Sequence, residues 1–85
     1  MNNIKHLIQL ANRIGSFFEA MPDRAEALEG ITNHIQKFWA PRMRTAMLEF
    51  LRENPSGRLD DATLHPMALE AIANNTERLT PKGRV

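Results

Sequence analysis

A chain of 85 residues with 42% hydrophobic and 25% charged side chains is long enough for one domain with a single thin core. Such a core leaves few apolar side chains to line a deep ligand pocket, which argues against an enzyme. Eleven Lys and Arg against ten Asp and Glu give a formal net charge of +1, without the basic excess of a dedicated nucleic-acid binder.

The sequence contains no cysteine, which excludes disulfide bonds, thiolate zinc sites and iron–sulfur clusters built from this chain. Polar residues interrupt the apolar ones at helical intervals near the N-terminus, so we expect no signal peptide. No run approaches about 18 consecutive apolar residues, so we expect no membrane span. These features favour a cytoplasmic protein.

The first predicted helix runs from about Asn3 to Met21. Its apolar side chains recur at steps of three and four residues, and they are Ile4, Leu7, Ile8, Ala11, Ile14, Gly15 and Phe18. Phe17 lies beside this stripe, so the apolar arc is wider than the ~100° that one neighbour requires. The width predicts two neighbours for this helix, one of which could be another protein.

The second predicted helix begins after a break at Pro22, with Asp23 as its N-cap and Glu26 at the spacing of a capping box. It ends near Trp39. Gly30 lies inside this helix, where glycine costs about 1 kcal/mol relative to alanine. We therefore expect something to pack closely against Gly30.

The third predicted helix starts at Pro41, which suits a first helical turn, and ends near Glu53 before Asn54-Pro55-Ser56-Gly57. A short fourth helix opens at His65-Pro66. No stretch alternates polar and apolar residues for long enough to indicate a strand. We predict an all-α fold, a small bundle of three main helices plus a shorter fourth over residues 1–73. Residues 74–85 have little to bury and are predicted to form a flexible C-terminal tail.

Candidate catalytic and metal-ligating residues form no recognisable motif. The three histidines, His6, His34 and His65, lie on three different predicted elements, and none has a second ligand at close helical spacing. His65 is expected to cap the fourth helix. Asp60 and Asp61 are adjacent, which suits a solvated turn better than paired acid–base catalysis. We predict no catalytic residue, no cofactor and no metal site.

Two arginines stand in unusual positions at the start of the third helix. Arg42 and Arg44 lie in its first turn, where the helix dipole disfavours cations by about 0.3–1 kcal/mol each. Arg44 also falls inside the apolar arc, so its guanidinium must extend to solvent or meet a carboxylate. That carboxylate could belong to a partner or to this chain, with the candidates Glu19, Asp23 and Glu26.

The same region contains two adjacent aromatic residues, Phe38 and Trp39. These could be core residues. Aromatic and arginine side chains are also the types in which interfaces concentrate binding energy. We predict a partner-binding surface formed by Phe17, Phe38, Trp39, Pro41, Arg42, Met43 and Arg44.

Five short segments occur in order along the chain: LANRIGSFF at 10–18, PD at 22–23, GI at 30–31, HI at 34–35 and FWAPRMR at 38–44. Together they resemble the delta subunit of soluble NAD-dependent formate dehydrogenases. The resemblance covers roughly residues 4–53 and extends weakly over residues 64–71. Its most specific part is FWAPRMR, in which Ala40 stands where many members carry a polar N-cap residue.

The resemblance implies an accessory role. In that family the alpha subunit oxidises formate at a molybdenum bis-guanine-dinucleotide centre, and electrons pass through iron–sulfur clusters to flavin and NAD on other subunits. The delta subunit holds no cofactor and is associated with assembly or stability of the active complex. We therefore expect this chain to bind the catalytic alpha subunit, and to bind neither nucleic acid nor membrane.

Two alternatives follow from the residues themselves. The third helix could be a recognition helix led by Arg42 and Arg44, which would make the chain a small nucleic-acid-binding domain. The chain could also be a self-associating bundle without a dehydrogenase partner.

Overall fold

The computed structural model describes residues 3–82, which form five helices and one small hairpin. The helices are α1 (Ile4–Glu19), α2 (Arg24–Phe38), α3 (Pro41–Glu53), α4 (Pro66–Ala73) and α5 (Thr76–Leu79). Strands β1 (Arg58–Leu59) and β2 (Ala62–Thr63) form an antiparallel pair between α3 and α4. The prediction of an all-α bundle with three main helices and a shorter fourth is confirmed.

Local capping groups set the helix boundaries. Oδ1 of Asp23 accepts a hydrogen bond from the backbone amide of Glu26 at 3.1 Å, as the capping-box spacing predicts. The imidazole of His65 caps α4, because its Nδ1 accepts a hydrogen bond from the amide of Met67 at 3.1 Å. Ala40 provides no side-chain cap for α3, which begins instead with a proline at its first position.

The hydrophobic core lies between α1, α2 and α4, and α3 packs against α1. Its largest fully buried apolar side chains are Ile8, Ile31, Ile35, Met47, Leu64, Ile72 and Leu79. The Cα atoms extend 39 × 32 × 18 Å. Since a helix with its side chains is about 10–12 Å across, the shortest dimension holds only two layers of helices. Within these layers α1 contacts three helices of the same chain, α2, α3 and α4.

Two glycines allow other side chains to approach the helices closely. A Cβ atom at Gly15 would lie 2.9 Å from Cγ of His65, and one at Gly30 would lie 2.7 Å from Cδ1 of Phe18. Both distances are shorter than ordinary carbon–carbon contacts. The expectation of close packing against Gly30 is confirmed, and the group that packs there is the side chain of Phe18.

The connection between α3 and α4 differs from the sequence prediction, which contained no strand. Arg58 pairs with Thr63 across a two-stranded hairpin, and Asp60 at its turn has a φ of 56°. Lys5 on α1 forms ion pairs with Asp60 at 3.5 Å and with Asp61 at 3.4 Å. Strands of two residues are too short for an alternating pattern to be visible in the sequence.

The segment after residue 74 also differs, because it does bury a side chain. Leu79 on α5 is only 1% exposed. Arg78 donates two hydrogen bonds to the carboxylate of Glu29, at 2.8 and 2.7 Å, and one to Gln36 at 3.0 Å. The division into a domain over residues 1–73 and a flexible tail over residues 74–85 stays a prediction, because flexibility is a property of motion. Residues 83–85 of that tail lie outside the described residues.

Candidate functional site

The two adjacent aromatic residues at the end of α2 have opposite environments. Phe38 is the last residue of the helix and is 71% exposed, whereas Trp39 is 6% exposed within the core. The backbone leaves the helix at Trp39, where φ is −83° and ψ is 134°, so the two side chains do not follow helical spacing. Trp39, one of the predicted partner-binding residues, is thus a buried residue of the core cluster.

Arg44 is turned toward its own chain. Its Nη1 donates a 3.3 Å hydrogen bond to the carbonyl oxygen of Leu79, and its buried Nε has no hydrogen-bond partner among residues 3–82. Within the described residues its partner is thus a backbone carbonyl on α5 and none of the three candidate carboxylates, Glu19, Asp23 and Glu26. Because Arg44 is half-buried in this contact, the first turn of α3 does not present Arg42 and Arg44 as a pair of exposed arginines, and the nucleic-acid alternative loses its main support.

Pro41 and Arg42 are exposed on a different surface from Phe38. They line a groove between α3 and the end of α5, together with Thr45, Ala46, Glu49, Thr80 and Pro81. Met43 is half-buried against the core. The seven predicted partner-binding residues are therefore divided among two surfaces and the interior.

Phe17 and Phe38, the two large apolar side chains most exposed among the described residues, belong to one surface. Phe17 is 74% exposed and lines an open groove of about 300 Å³ with Arg13, Ile14, Phe18 and His34. The His34 ring lies 4.8 Å from the Phe38 ring, and the Phe17 ring meets the Phe18 ring edge-on at 5.1 Å. We call this surface the aromatic groove, formed by Arg13, Ile14, Phe17, Phe18, His34 and Phe38.

Helical spacing explains how α1 and α2 build this surface. Four-residue steps place Arg13 beside Phe17 on α1 and His34 beside Phe38 on α2. Gly30 lies one turn before His34 and leaves room for the Phe18 ring against α2. The sequence prediction contained Phe17 and Phe38 but missed Arg13 and His34, although the four-residue steps were the signal that could have found them.

One cationic side chain lines the aromatic groove, and a second lies nearby in the sequence of α2. Arg13 lines the groove, and Lys37 immediately precedes Phe38 on α2. Neither side chain forms a hydrogen bond or ion pair with any other residue in the range 3–82. Arg13 is therefore available to a ligand or partner in the groove, and Lys37 is an exposed cation one position before Phe38.

Acidic side chains of α1 and α2 do not line the aromatic groove. Oε1 of Glu19 lies 3.2 Å from Nε2 of the imidazole that caps α4. Glu29 is paired with Arg78, and the hydrogen bond from this guanidinium lowers the pKa of the Glu29 carboxyl. Glu26 lies in a separate hollow beyond Phe18. Among the residues that line the groove, the charged side chain is thus Arg13.

The model of the FdsD family, described as the NADH-dependent formate dehydrogenase delta subunit, matches residues 6–72. The chain belongs to this family. The range matched to FdsD contains most of α1, all of α2 and α3, the hairpin and α4 as far as Ile72. No curated protein and no solved structure matches the chain.

The FdsD match contains every residue of the aromatic groove, whereas α5 lies beyond its end. The groove is therefore formed by the part of the chain that matches the FdsD family. The resemblance to the delta subunit, inferred above from residues 10–44, is confirmed by this match.

Residues 3–82 contain neither a helix that could span a membrane nor a group of metal-ligating side chains. No helix in this range has the length and apolar character required to cross a membrane. Within the same range, no three His, Asp or Glu side chains are grouped so that they could hold a metal ion.

Proposed function

We propose that this chain is a non-catalytic accessory subunit that binds the catalytic alpha subunit of NAD-dependent formate dehydrogenase in the cytoplasm and supports assembly or stability of the complex. Membership of the FdsD family supports the connection with formate dehydrogenase. The observation that carries the docking role is the exposure of Phe17 and Phe38 on one face. Contiguous exposed apolar surface on a small protein is typical of an interaction site.

Apolar burial would supply most of the binding free energy at this face. An aromatic side chain buries about 150–250 Å², which at about 25 cal/mol per Å² corresponds to several kcal/mol per ring before ordering costs are subtracted. Those costs are reduced here, because Phe17 already contacts Phe18 and Phe38 already contacts His34.

Stabilisation of the enzyme would follow from mass action. A subunit that binds only the folded partner raises the partner's free energy of unfolding, by about 2.7 kcal/mol when its free concentration is about 100 times the Kd. Such a subunit needs no cofactor and no reactive side chain.

The test mixes the full chain with catalytic alpha subunit purified from cells that lack this chain. Wild-type chain should co-elute with the alpha subunit in size-exclusion chromatography. The double variant Phe17→Ser, Phe38→Ser should remain helical and bind at least about tenfold more weakly, because it loses both apolar anchors. The matched control Phe17→Leu, Phe38→Leu keeps most of the apolar area and should bind nearly as well as wild type.

Equal binding by the serine and leucine variants would assign docking to another surface. Binding of wild type to the other subunits but not to the alpha subunit would identify a different partner within the complex. The stabilising role is tested separately, since the enzyme should lose formate-oxidising activity faster on heating without this chain than with it.

A further inference from the structure

We infer that the aromatic groove receives an acidic amphipathic helix of the formate dehydrogenase complex. One apolar side chain of that helix would lie between Phe17 and His34, and its carboxylates would pair with Arg13 and Lys37. This inference rests on the proposed function and specifies the chemistry of the partner segment.

The groove has the size and lining to hold an apolar side chain. It encloses about 300 Å³ and is lined by Arg13, Ile14, Phe17, Phe18 and His34. Ile14 and Phe18 are half-buried and form its base, while Phe17 is exposed at its rim. Because the base is apolar, a polar side chain inserted there would lose hydrogen bonds to water without replacement.

A helix suits this groove better than an extended strand. The groove lies between two helices whose backbone groups are engaged in their own hydrogen bonds, so an extended segment would find no backbone partners there. A helix satisfies its own backbone and presents side chains at i, i+3, i+4 and i+7 to such a surface. Side chains of a third helix also interdigitate readily with the ridges of two packed helices.

The charge around the groove selects an acidic partner. The side chains of Arg13, in the groove, and of Lys37, next to Phe38 in α2, have no hydrogen-bonding or ion-pairing partner among residues 3–82, and no carboxylate lines the groove. A basic segment would place like charges together, whereas carboxylates on either side of the inserted apolar residue would neutralise both cations. Such exposed pairs contribute mainly to partner choice and association rate, and salt weakens them.

The experiment measures the Kd of the full chain for formate dehydrogenase complex purified from cells that lack this chain. Arg13→Glu, Lys37→Glu should bind at least about tenfold more weakly than wild type at low salt, and Arg13→Gln, Lys37→Gln should be intermediate. The matched control Arg52→Glu, Arg58→Glu makes the same change of charge on α3 and the hairpin and should stay within about twofold of wild type. High salt should reduce the difference between wild type and the glutamine variant.

A photo-crosslinking amino acid in place of His34 identifies the segment that occupies the groove. The crosslinked peptide should belong to a helix with Asp or Glu within one turn of an apolar residue. A crosslink to a basic or extended segment would overturn the inference. Equal binding by the charge-reversal variant Arg13→Glu, Lys37→Glu and its control would also overturn the inference. The proposed function would still stand in that case if the serine variant at Phe17 and Phe38 lost binding. Failure of wild type to bind the complex at all would overturn both.

Discussion

The backbone amide of His65 donates a 2.6 Å hydrogen bond to Oδ1 of Asn12, across 53 positions of sequence. Nδ2 of Asn12 donates in turn to the carbonyl oxygen of Thr63 at 2.9 Å. One amide side chain in the middle of α1 therefore satisfies a backbone acceptor and a backbone donor on either side of Leu64, which is buried. This pair of bonds holds the hairpin and the start of α4 against α1.

Asn12→Ala is expected to lower the free energy of unfolding by about 1–3 kcal/mol, because it leaves two backbone groups without their partner. Urea denaturation followed by circular dichroism measures the change. Gln9→Ala is the matched control on α1, since the side chain of Gln9 is exposed and forms no hydrogen bond with another described residue. The control should change stability by less than about 0.5 kcal/mol. Equal stability of the two variants would contradict the role assigned to Asn12.

Gly15→Ala is expected to destabilise the fold although alanine favours helices by about 1 kcal/mol. The new Cβ would lie 2.9 Å from Cγ and 3.2 Å from Cβ of His65. These atoms are close to the His65 backbone. Hydrogen bonds also hold His65 to Asn12, Met67 and Glu19, so the atoms cannot easily move. We expect a net loss of about 1–3 kcal/mol in urea denaturation.

Gly30→Ala serves as the comparison for Gly15→Ala. The three atoms nearest its Cβ would all belong to the ring of Phe18, which is the far end of a half-buried side chain and can rotate away. We expect a smaller loss of stability at Gly30 than at Gly15, together with weaker binding to the formate dehydrogenase complex, because the displaced ring enters the aromatic groove. A larger loss at Gly30 would show that Phe18 is fixed in place.

Local signals in the sequence were sufficient to predict the main helices. Pro41 and Pro66 mark the first positions of α3 and α4, and Asp23 caps α2 at the predicted residue. These signals work because they concern hydrogen bonds within about four residues of a helix end.

Side-chain environments that depend on distant parts of the chain were not predictable in the same way. Arg44 hydrogen-bonds a carbonyl oxygen 35 residues away, and no local pattern indicates that partner. Phe38 and Trp39 differ in their exposure to solvent because α2 ends between them, so a helical wheel cannot predict the environment of both. The cationic rim at Arg13 forms only when α1 and α2 pack together.

Leu79→Ala is expected to lower the free energy of unfolding by about 2–5 kcal/mol, the usual cost of truncating a fully buried leucine. The reason is that Leu79 is the buried apolar residue of α5 and lies within the core cluster. Thermal denaturation compares it with Lys82→Ala, an exposed position three residues later that should leave the Tm nearly unchanged. Equal Tm values for the two variants would support the flexible tail predicted for residues 74–85.

The ion pair between Glu29 and Arg78 predicts a pH dependence of stability. The hydrogen bond from Arg78 holds the pKa of Glu29 below its ordinary value of 4.5, to which it returns when the chain unfolds. The folded state therefore binds fewer protons than the unfolded state in the range between these two pKa values. The pair stabilises the fold fully above the ordinary pKa, and this contribution is lost as the pH falls through the lowered one.

Glu29→Gln should consequently be less stable than wild type near about pH 7, and the difference should shrink as the pH falls below about 4.5. Urea denaturation across this pH range measures the difference.

Arg78→Gln should lose the same contribution to stability. The double variant should lose less than the sum of the two single losses, because each change removes the same pair. Glu77→Gln is the control, because it alters an exposed carboxylate on α5 with no partner among the described residues. The free energy of unfolding of this variant should therefore change with pH as that of wild type does. A constant difference between Glu29→Gln and wild type at every pH would mean that the charge of Glu29 does not stabilise the fold.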